Sequence, residues 1–172
     1  MACQLHVLEA TADIPNSPLP LIVVRRAVAM PQAPSDVEAF VRRNGWSGTW
    51  TYTVFTYWHY HTTGHELLVC VGGSAELGLG GDAGLVVEVE PGDAAILPAG
   101  VGHKRLSSSS GFAMVGAYPP GQSGAITRAG SRPVAEAARD IAALALPDQD
   151  PLTGERPGVL AAWRSSAQTA GR

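Results

Sequence analysis

Short strand-like segments separated by glycine-rich turns fill the middle of the chain and limit what it can fold into. Between residues 66 and 119 the segments are ELLVCV, SAELGLG, GLVVEVE, DAAILP, HKRLS and GFAMVGAYP. The breaks between them, GG, GGDAG, PGD, PAGVG and SSSSG, have the composition of tight turns. Many short strands joined in this way indicate an all-β sandwich or barrel rather than a fold of alternating strands and helices.

The regions on either side have other patterns. LPLIVVRRAV, from residue 19, predicts one strand, and TWTYTVFTYWHYH, residues 49–61, predicts a strand or a bent pair of strands. SDVEAFVRRNG, residues 35–45, has the cap and apolar spacing of a short amphipathic helix, and RPVAEAARDIAALAL, residues 132–146, predicts a second helix. Residues 159–172 indicate a short turn of helix and a frayed end.

Composition excludes several classes of protein. The formal net charge is −3, and no basic cluster exceeds a pair of arginines, so we expect no nucleic-acid partner. The first residues lack the pattern of a secretory signal, and the longest apolar stretch near them is too short for a membrane span. Two cysteines, Cys3 and Cys70, form no metal or redox motif. These features predict a soluble, cytoplasmic protein of 172 residues with no membrane association.

Three of the five histidines lie within residues 57–66, YWHYHTTGHE, together with a glutamate. His59 and His61 point to the same side of a strand, because side chains alternate across it, and both can reach one ion. Glu66 begins the next strand, and His103 follows the turn after GDAAILPAGVG. If these strands bring the four together, three imidazoles and a carboxylate suit Mn, Fe, Ni, Cu or Zn and leave positions for water or substrate.

The third histidine of residues 57–66 is His65, and its side chain would point to the opposite face of the strand from that of Glu66. We therefore expect His65 to point away from the pair as a bystander, either a surface group or a hydrogen-bond donor to one of the metal-ligating side chains. A lone histidine in a strand is also often a hydrogen-bonded core residue. The HxH pair with a nearby carboxylate is a stronger metal-site pattern than any single histidine.

These two stretches resemble the two motifs of the cupin superfamily. HYHTTGHELLVCVGG matches the first motif at His59, His61, Glu66 and Gly73, and GDAAILPAGVGH matches the second at Gly92, Pro98, Gly100 and His103. The chain is most similar in arrangement to small uncharacterised bacterial single-domain cupins. The position that often holds the first glycine of motif one is Thr53, and the position of the asparagine that often closes motif two is Ser107. These departures put the substrate assignments of the family in doubt and leave the ligand positions filled.

The resemblance implies a double-stranded β-helix, or jelly-roll barrel, with short flanking α-helices. It implies a single cupin domain over residues 1–172, with a barrel core at about 46–120, an N-terminal extension at 1–45 and a C-terminal helical extension at 121–172. One divalent transition-metal ion would be held by His59, His61, Glu66 and His103. Family members of this type also lead us to expect a homodimer that pairs through an edge strand.

Strand parity suggests which side chains line the site. Phe55 and Tyr57 share a face with the histidine pair if no bulge intervenes, so we expect both in a substrate pocket. Parity also favours Arg105 turning inward, where it would suit a carboxylate or another anion, although a solvent-facing arginine is an open alternative. Phe112, Met114 and Tyr118 form one face of a strand and are expected in the core.

The motifs leave more than one function open. The resemblance implies a metal-dependent enzyme acting on a small organic molecule, with oxygenase, isomerase and decarboxylase chemistry unresolved. The alternative is a non-catalytic cupin that binds or senses a small-molecule ligand. A storage-type barrel is disfavoured because such barrels usually come as a duplicated chain. No general base stands out beyond the metal ligands, so no catalytic residue is assigned.

Overall fold

Two antiparallel β-sheets pack face to face in a computed structural model that describes residues 2–170. The strands are β1 (Cys3–Leu8), β2 (Ser17–Val24), β3 (Ser47–Tyr52), β4 (His59–His61), β5 (Glu66–Gly72), β6 (Ala75–Leu79), β7 (Leu85–Val89), β8 (Ala94–Leu97), β9 (His103–Ser108), β10 (Ala113–Tyr118) and β11 (Ile126–Arg128). The α-helices are α1 (Pro34–Arg43), α2 (Val134–Ala142) and α3 (Ala161–Ala170). None of the described helices is long and apolar enough to cross a bilayer.

The strand order confirms the predicted all-β jelly roll with flanking helices. One sheet has the order β1-β2-β8-β5-β10-β3, and the other has the order β11-β4-β9-β6-β7. Neighbours such as β5 and β8, or β4 and β9, are joined by long excursions through the opposite sheet, so the chain winds around a common interior. This winding brings residues that are far apart in sequence to the same end of the barrel.

The central strands of the six-stranded sheet are buried on both faces. In β5, Leu68 and Cys70 face the barrel interior, where they join residues of the other sheet such as Leu77. Leu67 and Val69 face outward and pack with residues of α1 and α3. The parity expected for this strand, with Glu66, Leu68 and Cys70 on one side, is therefore confirmed. Burial on both faces explains why ELLVCV has no alternation of polar and apolar residues.

The sheet extends beyond the segment expected to form the barrel core. Strand β2 pairs with β8 on one side and with β1 on the other, so both β1 and β2 belong to the six-stranded sheet although they fall in the expected N-terminal extension. The region 49–61 is two strands, β3 and β4, with an irregular segment at residues 53–58 between them. Residues 53–55 of that segment form part of the wall of a cavity beside the histidines.

The C-terminal segment contributes to the core instead of fraying from it. Trp163 in α3 is 1% exposed, and its indole N–H donates a hydrogen bond of 2.7 Å to the carbonyl oxygen of Pro20. Helix α2 covers the other sheet, where Ala137 packs on Tyr60 and Ile14. Residues 171 and 172, at the expected frayed end, lie outside the described residues.

We predict that Trp163→Ala lowers the free energy of unfolding by roughly 3–5 kcal/mol, because it leaves a large cavity between α3 and the sheet. Urea unfolding followed by circular dichroism measures this. The control is Arg164→Ala on the same helix, whose side chain is half exposed and pairs only with an exposed carboxylate of Asp148. A Trp163→Ala protein as stable as the control would show that α3 is dispensable.

Candidate metal centre

Three histidines from one sheet and a glutamate from the other meet inside one end of the barrel. His59 and His61 lie on β4, and His103 lies directly opposite His59 on the neighbouring strand β9. Glu66, the first residue of β5, faces them from the six-stranded sheet. All four side chains are buried, with at most 5% of any residue exposed. The structure therefore brings together the four residues that the sequence motifs single out.

Each imidazole is held in one orientation by a backbone carbonyl. The Nδ1 atoms of His59, His61 and His103 lie 3.0 Å from the carbonyl oxygens of Tyr57, Ala125 and Val101, respectively. A carbonyl oxygen can only accept, so each Nδ1 carries a proton and donates it. The lone pair of each ring is then on Nε2. A hydrogen bond of this kind at the remote nitrogen is typical of histidines that bind metals.

The ligand-type atoms of the cluster lie close together. One nitrogen from each histidine lies within 4.8 Å of the others. The Oε2 atom of Glu66 lies 3.1 Å from Nε2 of His61 and 3.2 Å from Nε2 of His103. Two ligands at about 2.1 Å from an ion lie roughly 3.0 Å apart at a right angle and roughly 3.4 Å apart at a tetrahedral angle. The three histidines could together hold a metal ion, and Glu66 lies beside two of them.

Burial and neighbouring charges set the protonation of this cluster. Burial, reinforced by His103, lowers the pKa of His59 to about 3. Burial also lowers the pKa of His61, but the Glu66 carboxylate outweighs this, and the net pKa of His61 is raised. Burial alone would raise the pKa of Glu66, yet the two histidines beside it hold that pKa well below its usual range. The carboxylate is therefore ionised, which is the form that binds a metal.

A hydrogen-bonded chain of two aromatic side chains supports Glu66. The Tyr118 hydroxyl donates to Oε1 of Glu66 at 3.2 Å and accepts a bond of 2.8 Å from the indole N–H of Trp50. Burial and the Glu66 carboxylate both raise the pKa of Tyr118, so its phenol stays protonated and remains a donor. The strand pattern predicts Tyr118 in the core. Its parity with Met114 on β10 does place it inside the barrel, but parity alone does not reveal the glutamate at the end of that row.

His65 lies on the other side of the sheet from the cluster, as its parity predicts, but it is not a surface group. It is 2% exposed, its Nδ1 accepts a hydrogen bond of 2.9 Å from the backbone N–H of Ala99, and its ring lies 4.8 Å from the Trp163 ring. His65 therefore belongs to the core between β5 and α3. The strand pattern around His65 could not reveal this contact, because α3 is distant from His65 in sequence.

A cavity of about 260 Å³ opens from the histidines toward solvent. Its walls are mainly aromatic and aliphatic, and its lining residues include Trp50, Tyr52, Phe55, Leu68 and Ile126 beside the four buried ligand-type residues. Phe55 thus lies where the sequence predicts a substrate pocket. The irregular segment 53–58 holds Phe55 there, since its carbonyl accepts a hydrogen bond of 2.8 Å from the backbone N–H of Arg105.

The other two pocket candidates do not line this cavity. Tyr57 stacks on Phe55 at a ring separation of 5.1 Å, and its opposite face carries the guanidinium of Arg128 at 3.9 Å. The Arg105 side chain donates to the hydroxyls of Thr53 and Ser108 at the barrel rim. The bulge-like path of residues 53–58 breaks the strand parity on which the expectation for Tyr57 rested, and local hydroxyl acceptors draw Arg105 aside.

Comparison with known proteins gives one extensive match. The chain is 40% identical over 161 residues to YjlB, an uncharacterized protein of Bacillus subtilis (strain 168), and the match covers 93% of this chain and 96% of the relative. No protein-family model matches the chain.

Two solved structures are more distantly similar. DMSP lyase DddQ from Ruegeria pomeroyi DSS-3 has a TM-score of 0.37 at 14% identity, and acireductone dioxygenase from Bacillus anthracis, with a cadmium ion in its active center, has 0.35 at 19%. The matches cover 74% and 51% of this chain, and they span 50% of the lyase and 60% of the dioxygenase. Likenesses this weak assign no activity to the chain.

We predict that Tyr118→Phe weakens metal binding by roughly tenfold, because Glu66 loses the hydrogen bond that holds its second oxygen. Competition with a fluorescent chelator measures the affinity. Tyr60→Phe is the matched control: Tyr60 is also buried, but its hydroxyl has no hydrogen-bond partner among the described residues. Equal affinities in the two variants would contradict a supporting role for Tyr118.

Proposed function

We propose that this chain, which belongs to the family of Bacillus subtilis YjlB and has the cupin fold, is a metal-dependent enzyme acting on a small organic molecule. One divalent transition-metal ion would be held by His59, His61, Glu66 and His103. Iron, manganese, nickel, zinc and copper all accept this set of nitrogen and oxygen ligands. Oxygenase, isomerase and decarboxylase chemistry are all compatible with it.

The observation that carries this proposal is the convergence of three imidazole nitrogens and one carboxylate at the inner end of the cavity. Three imidazoles donate their Nδ1 protons to backbone carbonyls and keep Nε2 for a ligand, and an ionised carboxylate lies beside two of them. The Glu66 carboxylate lies within hydrogen-bond distance of Nε2 of His61 and of His103. A divalent ion would take the place of the protons in these contacts and join the three imidazoles and the carboxylate at one centre.

When bound, the ion would supply Lewis acidity or one-electron chemistry to a substrate at its remaining positions. The protein's own residues do the rest of the work. The carbonyls orient the imidazoles, Tyr118 and Trp50 hold Glu66, and the aromatic walls exclude water from the reacting end of the substrate. A cavity that leads from solvent to the ligand cluster favours an enzyme over a closed structural metal site.

The non-catalytic alternative, a cupin that binds or senses a small molecule, would use the same cavity. The enzyme and the binding protein differ in whether a bound compound is chemically changed.

We also propose a cytoplasmic location without nucleic-acid or membrane partners, which is supported by the free state of Cys3 and Cys70. The mild net charge of −3 supports the exclusion of nucleic acid.

A homodimer is the assembly that we propose, and the edge strand β1 is its best-supported interface. β1 lies at the end of its sheet, and Leu5 and Val7 on it are 53% and 61% exposed. An exposed apolar strand at a sheet edge readily pairs with another strand. Two copies of β1 could pair in antiparallel fashion around a twofold axis.

We predict about one transition-metal ion per purified chain, lost in His61→Ala and His103→Ala and retained in His65→Ala. The reason is that His65 accepts a hydrogen bond on the far side of β5, whereas the other two supply ligand nitrogens. Elemental analysis without added metal measures the content. Circular dichroism shows that each variant is folded. A metal-free His65→Ala protein that is folded would show that the ligand assignment is wrong.

The same proteins test catalysis. The metal-loaded protein is incubated with a small-molecule extract of bacterial cells, and the mixture is compared by mass spectrometry with one that contains His61→Ala. For an enzyme, we expect a compound to disappear and a new mass to appear only with the metal-loaded protein. Compounds that are retained by the protein and recovered unchanged would support the binding alternative and overturn the enzyme.

Light scattering should give a mass about twice the 17.9 kDa of one chain. Leu5→Lys and Val7→Lys together should reduce this to a single chain, because two positive charges would meet at the paired strands. Val86→Lys on β7, an end strand of the other sheet with a 62% exposed valine, is the control and should leave the dimer intact. A single-chain mass for the unmodified protein at micromolar concentration would refute the dimer.

A further inference from the structure

The formal charges around the cavity do not balance a divalent ion. Among the residues that the structure describes, Glu66 is the only cavity-lining side chain that carries a formal charge when the three histidines are neutral. A divalent ion bound there would keep one positive charge after pairing with this carboxylate. A buried excess charge is costly unless a partner neutralises it. One negative charge on the bound substrate would do so.

The rest of the cavity is suited to an uncharged group. Seven of its lining residues are aromatic or aliphatic side chains, namely Trp50, Tyr52, Val54, Phe55, Leu68, Tyr118 and Ile126. The polar atoms of the neighbouring residues are already engaged: Trp50 and Tyr118 bond to each other, and the Thr53 hydroxyl accepts from Arg105. The volume of about 260 Å³ lies below the usual range of about 300–1,000 Å³ for small-molecule pockets. A single ring or a short chain would fill it.

The cationic side chains of Arg105 and Arg128 lie beside the cavity but are held by other groups. The Arg105 guanidinium bonds to Thr53 and Ser108 at the rim, and the Arg128 guanidinium covers the outer face of Tyr57. Neither arginine lines the cavity. A second anionic group on a substrate, such as the distal carboxylate of a dicarboxylic acid, would therefore be desolvated without a partner.

We propose that the substrate is a small amphipathic monoanion, with one metal-binding anionic head group and an uncharged aromatic or short aliphatic body. Its head group would lie at the four ligand residues and its body against Phe55, Leu68 and the aromatic walls. This inference rests on the proposed metal site and narrows the substrate class. Dicarboxylates, phosphorylated sugars and other multiply charged molecules are excluded from that class.

Three hydroxamic acids with the same chelating head group test the inference on the zinc-loaded full-length protein. Acetohydroxamate has the head group alone, benzohydroxamate adds an aromatic ring, and succinic monohydroxamate adds a short chain that ends in a carboxylate. Isothermal titration calorimetry should show benzohydroxamate binding at least about tenfold more tightly than acetohydroxamate, because its ring is buried on apolar walls. Succinic monohydroxamate should bind at least about tenfold more weakly than benzohydroxamate.

A charge-gain variant tests the missing cation directly. Ile126 lines the cavity and is 44% exposed, so a longer polar side chain can be placed there without entering the core. Ile126→Lys should raise the affinity for succinic monohydroxamate by about threefold or more relative to Ile126→Gln, because glutamine has a similar length and no charge. Benzohydroxamate should not gain from the lysine.

The outcomes separate this inference from the proposed function. If no hydroxamate binds the zinc-loaded protein, the metal site is not open to substrate, and the proposed function fails together with the inference. If all three bind with similar affinity, the metal site stands and the amphipathic monoanion is wrong. Tighter binding of succinic monohydroxamate than of benzohydroxamate would also overturn the inference, because a partner for a second charge would then exist.

Discussion

Three backbone carbonyls determine what the histidines of this protein can do. By accepting the Nδ1 protons of His59, His61 and His103, they leave Nε2 of each ring to face the shared centre, where Nε2 of His61 and of His103 lie beside the carboxylate of Glu66. Two of these carbonyls lie only two residues before the histidine that they hold. For His59 and His103 the local backbone path at the start of the strand thus selects the tautomer, whereas His61 depends on the carbonyl of Ala125 before β11.

The position of Glu66 links this cluster to the rest of the fold. Glu66 begins β5, the strand that is buried on both faces, so its side chain points at the histidines while the adjacent His65 points into the outer layer. His65 is held there by the N–H of Ala99, in the turn that leads to His103, and by the ring of Trp163. The packing between β5 and α3 and the histidine–glutamate cluster therefore depend on two adjacent residues, His65 and Glu66.

Sequence patterns predicted much of this arrangement because they depend on short-range rules. Alternation along a strand places His59 with His61 and Glu66 with Leu68, and glycine-rich turns mark the strand boundaries. Gly100 shows why such turns are demanding: its φ is +94°, and a Cβ there would collide with the backbone oxygen of Asn16. Two stretches, residues 59–66 and 92–103, thus carry the four residues of the candidate site.

What the patterns missed depends on contacts between distant segments or on broken periodicity. Tyr118 reaches Glu66 only because β10 pairs with β5, and Trp163 enters the core only because α3 returns to β2. The prediction for Tyr57 failed to place it in the cavity because residues 53–58 leave the strand conformation, which no alternation rule anticipates. Strand pairing across the sheet and irregular backbone are the two pieces of information that one sequence does not carry.

The mouth of the cavity lies at the free edges of both sheets. Tyr52 belongs to β3 and Ile126 to β11, and these are the end strands of the six-stranded and the five-stranded sheet. Each is hydrogen-bonded to the barrel along one side only, whereas His59, His61, Glu66 and His103 are on strands paired along both sides. Evolution can therefore remodel the entrance through insertions and substitutions at these edges while the inner ligands stay in register. Descendants of one such barrel can diverge in the compounds they admit long before they lose the centre that acts on them.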